Sequence, residues 1–227
     1  MAFADVYRRQ AALLVRVLPV IAEEECFALK GGTAINLFVR DLPRLSVDID
    51  LTYVPVKPRP QSLAAIEAAL TRIAQRIHYE LPGSRVAEGR PGDERVLTKL
   101  FPRYDGVQIE IEVTPVMRGW IEEPERRAVS PTVEEALGFA EIPVLTFADL
   151  YGGKLVAALD RQHPRDLFDV RELLATEGID DKLRTAFLVY LICHSRPMHE
   201  VLAARRKDIA IPFERDFGRH GGEARDA

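Results

Sequence analysis

Residues 27–51, FALKGGTAINLFVRDLPRLSVDIDL, constrain this chain more than any other stretch. The apolar run Phe27–Leu29 reads as a strand that leads into Gly31-Gly32-Thr33. A short amphipathic helix follows, then a loop through Pro43, then a second strand carrying Asp48-Ile49-Asp50. Strand side chains alternate between faces. Asp48 and Asp50 therefore share one face, while Val47, Ile49 and Leu51 share the other and can be buried. Two neighbouring carboxylates repel, and the arrangement is costly unless a cation neutralises it or one of them keeps its proton. Such hard oxygen donors suit Mg²⁺, which takes one or two carboxylates and completes its octahedron with water and substrate phosphates. The glycines permit positive φ and close backbone approach. The helix start after them offers unpaired N–H groups to an anion, and Thr33 adds a hydroxyl. A phosphate cradle and an acid pair joined by one short helix describe a site for an NTP with its metal ion.

The segments K-G-G-T-A-I-N-L and R-L-S-V-D-I-D-L resemble the opening of the AbiEii/AbiGii (MenT-like) nucleotidyltransferase toxins. These belong to the DNA polymerase β-type nucleotidyltransferase superfamily, whose signature is G-[GS] followed by [DE]-x-[DE]. The resemblance continues in DLYGGKLVAALDRQHPRDLFDV, residues 149–170, which is similar to the family block K-x-x-A-x-x-x-R-x-x-x-R-D-x-x-D. It implies an α+β fold: a nucleotidyltransferase core with a mixed sheet over residues 1–145, then a C-terminal α-helical domain over 146–227, with the NTP in a cleft between them.

By the same resemblance Asp48 and Asp50 are catalytic and bind Mg²⁺ or Mn²⁺, joined by a third carboxylate on a neighbouring strand. Glu110 is favoured for that place, Glu112 stays open, and Gln108 stands where the family commonly has Lys. Gly31, Gly32 and Thr33 cradle the phosphates, and Lys154 contacts the triphosphate with Arg161 and Arg165 beside it. From the residues alone, Ser46 shares the Asp48 and Asp50 face and Arg44 is within reach of a phosphate, with a strand-end serine and a surface arginine as the plainer account. One or both of Asp166 and Asp169 complete the site, by orienting Lys154 or the arginines. The implied reaction is transfer of NMP from an NTP to an acceptor with release of pyrophosphate. The implied acceptor is a tRNA 3′ end, and the implied setting is a type IV-like toxin–antitoxin or abortive-infection system with a separately encoded antitoxin. Transfer to a protein or small molecule, and a non-catalytic NTP-binding module, are the alternatives. The intact acid pair and Lys154 speak against the second of these.

Composition narrows the partners. A chain of 227 residues can bury a real core, and 47% hydrophobic with 29% charged residues is an ordinary globular make-up. The formal net charge of −4 means that an RNA partner needs a local basic face. Arg205-Arg206-Lys207 is one such cluster, with a solvated helix end as the plainer account. Cys26 and Cys193 fit no metal or redox spacing and read as buried reduced thiols. The apolar run AALLVRVLPVIA is broken by Arg16 and is neither a membrane span nor a secretion signal, so a cytoplasmic location is the default expectation.

The remaining elements follow from periodicity. Residues 2–22 predict an amphipathic helix using Val6, Leu14, Val17, Leu18 and Ile21, with Pro19 bending or shortening its end. A second helix should start near Ser62 as N-cap. Residues 81–94 read as loop with one edge strand, Arg95–Arg103 and Val107–Val113 as a hairpin turning at Asp105-Gly106, and 121–140 as irregular. Ile142–Leu145 is a short strand, Thr146–Asp149 a capping box, and Gly178 a helix stop. Helices are expected over 181–194 and 198–208, with Leu183, Phe187, Tyr190, Leu191, Val201 and Leu202 inward and a frayed tail after Phe217. Gly152-Gly153 inside a helix costs about 1 kcal/mol per glycine, which makes sense where something must approach the backbone closely.

Overall fold

A computed structural model of the chain describes residues 5–92 and 95–216. They form two compact units, residues 8–146 and residues 147–216 with the short segment 5–7. The tail after Phe217 lies outside the described residues.

The first unit is built on one mixed sheet. Its strands are β1 (Phe27–Lys30), β2 (Asp48–Tyr53), β3 (Arg85–Gly89), β4 (Lys99–Tyr104), β5 (Val107–Gln108), β6 (Glu110–Arg118), β7 (Glu125–Ala128) and β8 (Glu141–Val144). They lie in the order β3-β4-β6-β2-β1-β8-β7, with β5 paired to β4. β2 runs parallel to β6 and β1 parallel to β8, and the other pairs are antiparallel. Phe27, Ala28, Leu29, Ile49, Leu51, Ile111 and Val113 form the buried centre of the sheet. The β4–β5 turn has positive φ at both Asp105 (47°) and Gly106 (76°), the backbone that matches the twist of a tight hairpin.

Helices α1 to α4 accompany the sheet. In α1 (Asp5–Ala22), Leu14, Val17, Leu18 and Ile21 are fully buried, whereas Val6 is exposed. Pro19 lies within α1 on its exposed side, and the helix continues to Ala22 rather than ending early. α2 (Gly31–Ala34) passes into a π-helical turn at Ile35–Val39. α3 (Arg59–Glu80) packs on β3, β4 and β6. It begins before Ser62, because Pro60 suits the first turn. Ser62 is buried instead, and its hydroxyl donates to the Lys57 carbonyl at 3.1 Å. The stretch 121–140 is more ordered than its charges suggest: it holds β7 and α4 (Pro131–Leu137). As an edge strand paired on one side, Glu125-Arg126-Arg127 needs no apolar alternation.

The second unit is helical: α5 (Phe147–Arg161), α6 (Pro164–Thr176), α7 (Asp181–Ile192), α8 (Met198–Leu202) and α9 (Ala210–Asp216). α5 packs against α6, α7 and α8. The close approach implied by the glycine pair is that of another helix. A Cβ on Gly152 would stand 2.9 Å from the Ala186 carbonyl carbon, and one on Gly153 would stand 3.1 Å from the Tyr190 ring. Gly178, at φ +74°, closes α6 by donating its N–H to the Leu173 carbonyl at 2.9 Å. Asp180 caps α7 through the Leu183 N–H at 2.8 Å. Leu183, Leu191 and Val201 are buried as expected, but Leu202 is exposed. α8 stops at Leu202, so Arg205-Arg206-Lys207 occupy a non-helical link. Cys193 is exposed, against expectation, while Cys26 is half-buried and burial pushes its thiol up to about 11. Among the described residues no helix is long and apolar enough to cross a membrane.

Candidate active site

The sheet register brings the acids together. Asp48 and Asp50 both emerge half-buried from one face of β2, while Ile49 and Leu51 are fully buried on the other. In the parallel β2–β6 pair Asp48 is level with Glu110 and Asp50 with Glu112. All four carboxylates thus share one face. Neighbouring strands are about 4.8 Å apart, closer than the roughly 6.6 Å between alternate residues of one strand. At the backbone each aspartate is consequently nearer to a glutamate than to its partner in the motif. Lysines flank the row: Lys30 of β1 is level with Asp50, and Lys99 of β4 is level with Glu112.

Lys99 was not visible as a site residue in the sequence. Its Nζ lies 2.6 Å from Glu110 Oε1 and 3.2 Å from Glu112 Oε2. The hydrogen bond to Glu110, with that to Glu112 and the two glutamate charges, holds the ammonium above its ordinary pKa against partial burial. On its far side Lys99 meets Gly89 of β3, where a Cβ would come within 2.8 Å of the lysine Cβ.

The glycine turn backs onto the acid strand. Gly31 has φ +76°, and a Cβ there would overlap the Asp50 carboxylate. A Cβ on Gly32 would stand 2.9 Å from Arg44 Nη2 and 3.2 Å from Ser46 Oγ. Arg44 and Ser46 are themselves buried. Glycine is required here twice over, by conformation at the first position and by crowding at both. Asn36, another residue the sequence did not single out, is fully buried and donates its amide to the Gly32 carbonyl at 2.8 Å, one turn back. Thr33 departs from the expected phosphate-facing role. It is fully buried, and its hydroxyl donates to the Asp48 carbonyl at 2.5 Å, tying the glycine turn to the acid strand.

Asp48 and Asp50 provide the hard oxygen donors that Mg²⁺ or Mn²⁺ requires, and two carboxylates suffice for such an ion beside substrate phosphates. The third expected ligand is arranged differently. Glu110 is engaged by Lys99, and among the described residues no three His, Cys, Asp or Glu side chains converge to hold a metal ion.

In the helical unit Lys154, Asp166 and Asp169 are buried together. Lys154 Nζ donates to Asp166 Oδ1 at 2.8 Å and lies 3.2 Å from Asp169 Oδ2. Arg161 Nη2 stands 2.9 Å from Asp166 Oδ2, an ion pair without hydrogen-bond alignment. Burial alone would raise the Asp166 pKa, but the charges of Lys154 and Arg161 and the Lys154 hydrogen bond outweigh it and hold the carboxyl below its ordinary range. Arg165 enters α6 in its first turn, where its N–H is capped by His163 Nδ1 at 3.3 Å. Lys207 does not extend a free basic face: its Nζ donates to the Asp160 carbonyl at 2.9 Å, at the C-terminal end of α5. Gln162 fastens the same link, donating to the Arg205 carbonyl and accepting from the Lys207 N–H, each at 2.9 Å.

A mixed sheet with adjacent acid-bearing strands and a glycine turn behind them, followed by helices, is the arrangement of the nucleotidyltransferase class. The fold is similar to that of MenT4, a nucleotidyltransferase toxin from Mycobacterium tuberculosis H37Rv, with TM-score 0.65, 19% identity, and coverage of 90% of this chain and 74% of that one. A protein from H. pylori solved as a candidate nucleotidyltransferase matches with TM-score 0.49 and 17% identity over 84% of this chain and 88% of its own. A comparison with curated proteins gave no match. The family model for the nucleotidyl transferase AbiEii toxin of type IV toxin–antitoxin systems matches residues 12–223, and the chain belongs to that family. Membership carries nucleotidyl transfer as the general activity, with an NTP substrate and a cognate antitoxin.

Proposed function

We propose that this protein transfers a nucleoside monophosphate from an NTP to an acceptor hydroxyl, the 3′ end of a tRNA, in a reaction that depends on Mg²⁺ or Mn²⁺. The observation that carries this reading is the packing of the Gly31-Gly32 turn against Asp50 of β2, the strand that also bears Asp48, and against Arg44 and Ser46 of the loop leading into that strand. The space freed at Gly31 and Gly32 is taken by Asp50, Arg44 and Ser46, which sets the glycine turn, a guanidinium and a hydroxyl next to the strand whose Asp48 and Asp50 supply negative oxygen donors. A divalent ion held by Asp48 and Asp50 would polarise the α-phosphate and offset charge on the departing pyrophosphate. The acceptor oxygen attacks the α-phosphorus, the bond to the β-phosphate oxygen breaks, and the hydroxyl proton passes to one of the acids. The chain's own part is positioning and electrostatic stabilisation.

Lys154 is assigned two roles: pinning α6 to α5 through Asp166 and Asp169, and neutralising triphosphate charge with Arg161 and Arg165. Pinning is the role its present contacts serve. Transfer to a protein hydroxyl is the second reading, and the commitment of Lys207 to the end of α5 favours it by shrinking the basic cluster expected to hold RNA.

Purified protein incubated with total RNA, a divalent ion and each α-labelled NTP in turn tests both readings. Label in a tRNA-sized product, absent with Asp48→Asn, is expected. Label on protein alone would replace the tRNA acceptor, and no Asp48-dependent transfer to any acceptor would refute the reaction.

A further inference from the structure

Lys99 faces two demands. On the acid face four carboxylates stand level in pairs across β2 and β6, and only Glu110 and Glu112 have the Lys99 ammonium bridging them, at 2.6 and 3.2 Å. The lysine reaches this position because its own strand neighbour is bare: Gly89, opposite it on β3, has no side chain to compete for the space. The bridge is not sealed. The side chains of Lys99, Glu110 and Glu112 keep 26%, 34% and 39% of their exposure, so solvent and ions reach them. Glu110 is the carboxylate level with Asp48 on the adjacent strand, which makes it the acid placed to join the Asp48–Asp50 pair once Lys99 releases it.

We propose that Lys99 is a positioning residue that acts as an internal counter-cation, holding Glu110 away from the Asp48–Asp50 pair until a divalent ion competes for it. This rests on the metal-dependent transfer reading above. The ammonium offsets the repulsion of the carboxylate row when no metal is bound, and it lowers the affinity for metal by occupying the third ligand. Glu112, also in contact with Lys99, is where the ammonium remains when Glu110 is released. The site is thereby tuned to bind its ion together with the NTP, whose phosphates add ligands, rather than alone.

Mn²⁺ binding to the full chain, without NTP, read by electron paramagnetic resonance and by calorimetry, tests this. Lys99→Met should tighten Mn²⁺ by about fivefold or more, the scale of one partly exposed ion pair. Lys99→Arg should restore wild-type affinity. Glu110→Gln should change little in the wild type, yet abolish most of the gain when added to Lys99→Met. A gain that survives without Glu110 would reduce Lys99 to a general field effect and overturn the proposal, as would unchanged or weaker binding in Lys99→Met. Lys99→Gln repeats the test with a polar side chain if the methionine variant fails to fold, and its melting curve should gain more from Mn²⁺ than that of the wild type. Asp48→Asn separates the two levels of the argument. If Mn²⁺ binding in the wild type and in Lys99→Met ignores Asp48, the metal reading itself falls and the role of Lys99 with it. If binding depends on Asp48 but not on Lys99, only the counter-cation is refuted.

Discussion

Two lysine–carboxylate clusters do different work with the same groups. On the sheet, Lys99 bridges Glu110 and Glu112 with all three side chains partly exposed. In the helical unit, Lys154 bridges Asp166 and Asp169 at nearly the same distances, but with 7%, 6% and 1% side-chain exposure. The Coulomb attraction between like pairs grows as water is removed, and so does the cost of leaving one partner alone. The exposed cluster can trade partners with an ion or a phosphate at small cost. The buried one holds its geometry at rest, and any disturbance of it is expensive. Burial, rather than residue type, separates an exchangeable site from a fixed one.

Removing each lysine breaks that comparison most directly. Lys154→Met removes the buried ammonium shared by Asp166 and Asp169, leaving Asp166 its Arg161 ion pair, and should cost about 3–5 kcal/mol in chemical unfolding. Lys99→Met should cost no more than ~1 kcal/mol, as for a pair in contact with solvent. Equal losses would show that burial is not the deciding variable. Asp48→Asn should reduce nucleotidyl transfer by about 10²- to 10³-fold while leaving the melting temperature near that of the wild type, since it removes charge from a half-buried position. Transfer within a few-fold of wild type would place the chemistry elsewhere.

Helix packing around the buried cluster gives a smaller effect. Gly152→Ala gains helix propensity of about 1 kcal/mol but forces a methyl group against the Ala186 backbone, and a net loss of about 1–2 kcal/mol is expected. Gly153→Ala meets the Tyr190 ring first, a side chain that can yield, and should be near neutral. A reversal of that order in thermal melts would contradict the packing of α5 on α7. The mildest probe is pH. Asp166 has a folded pKa below the 3.8 of the free side chain, so its contribution to stability is present above about pH 4. It fades as pH falls through the lower folded value. Asp166→Asn should flatten the acid limb of the stability curve below that pH, and an unchanged limb would assign acid sensitivity to other groups.

Much of the site could be read from local pattern. The alternation around Ile49 put Asp48 and Asp50 on one face because strand geometry has a period of two. The Asp105-Gly106 hairpin and the Gly178 stop followed from backbone chemistry that few residues other than glycine, Asn and Asp supply. Other features were opaque for a definite reason. Whether Glu110 or Glu112 stands beside Asp48 depends on register between strands remote in sequence, and so does the arrival of Lys99 on the same face. Thr33 looked like a phosphate donor because its hydroxyl was visible in the sequence and the Asp48 carbonyl that takes its proton was not. Lys207 read as part of a basic surface because the end of α5 that it caps lies far back in the chain.

The sequence by itself determined the chemistry on offer: an acid pair on one strand face, a glycine turn before it, and a lysine, arginine and aspartate block on helices. These are short-range properties, set by strand and helix periodicity and by backbone freedom. Tertiary structure decided which charges meet and how much water they keep. It set Lys99 against the glutamates at the open face of the sheet and enclosed Lys154 between two aspartates, because pairing partners and dielectric surroundings are fixed only when distant segments pack.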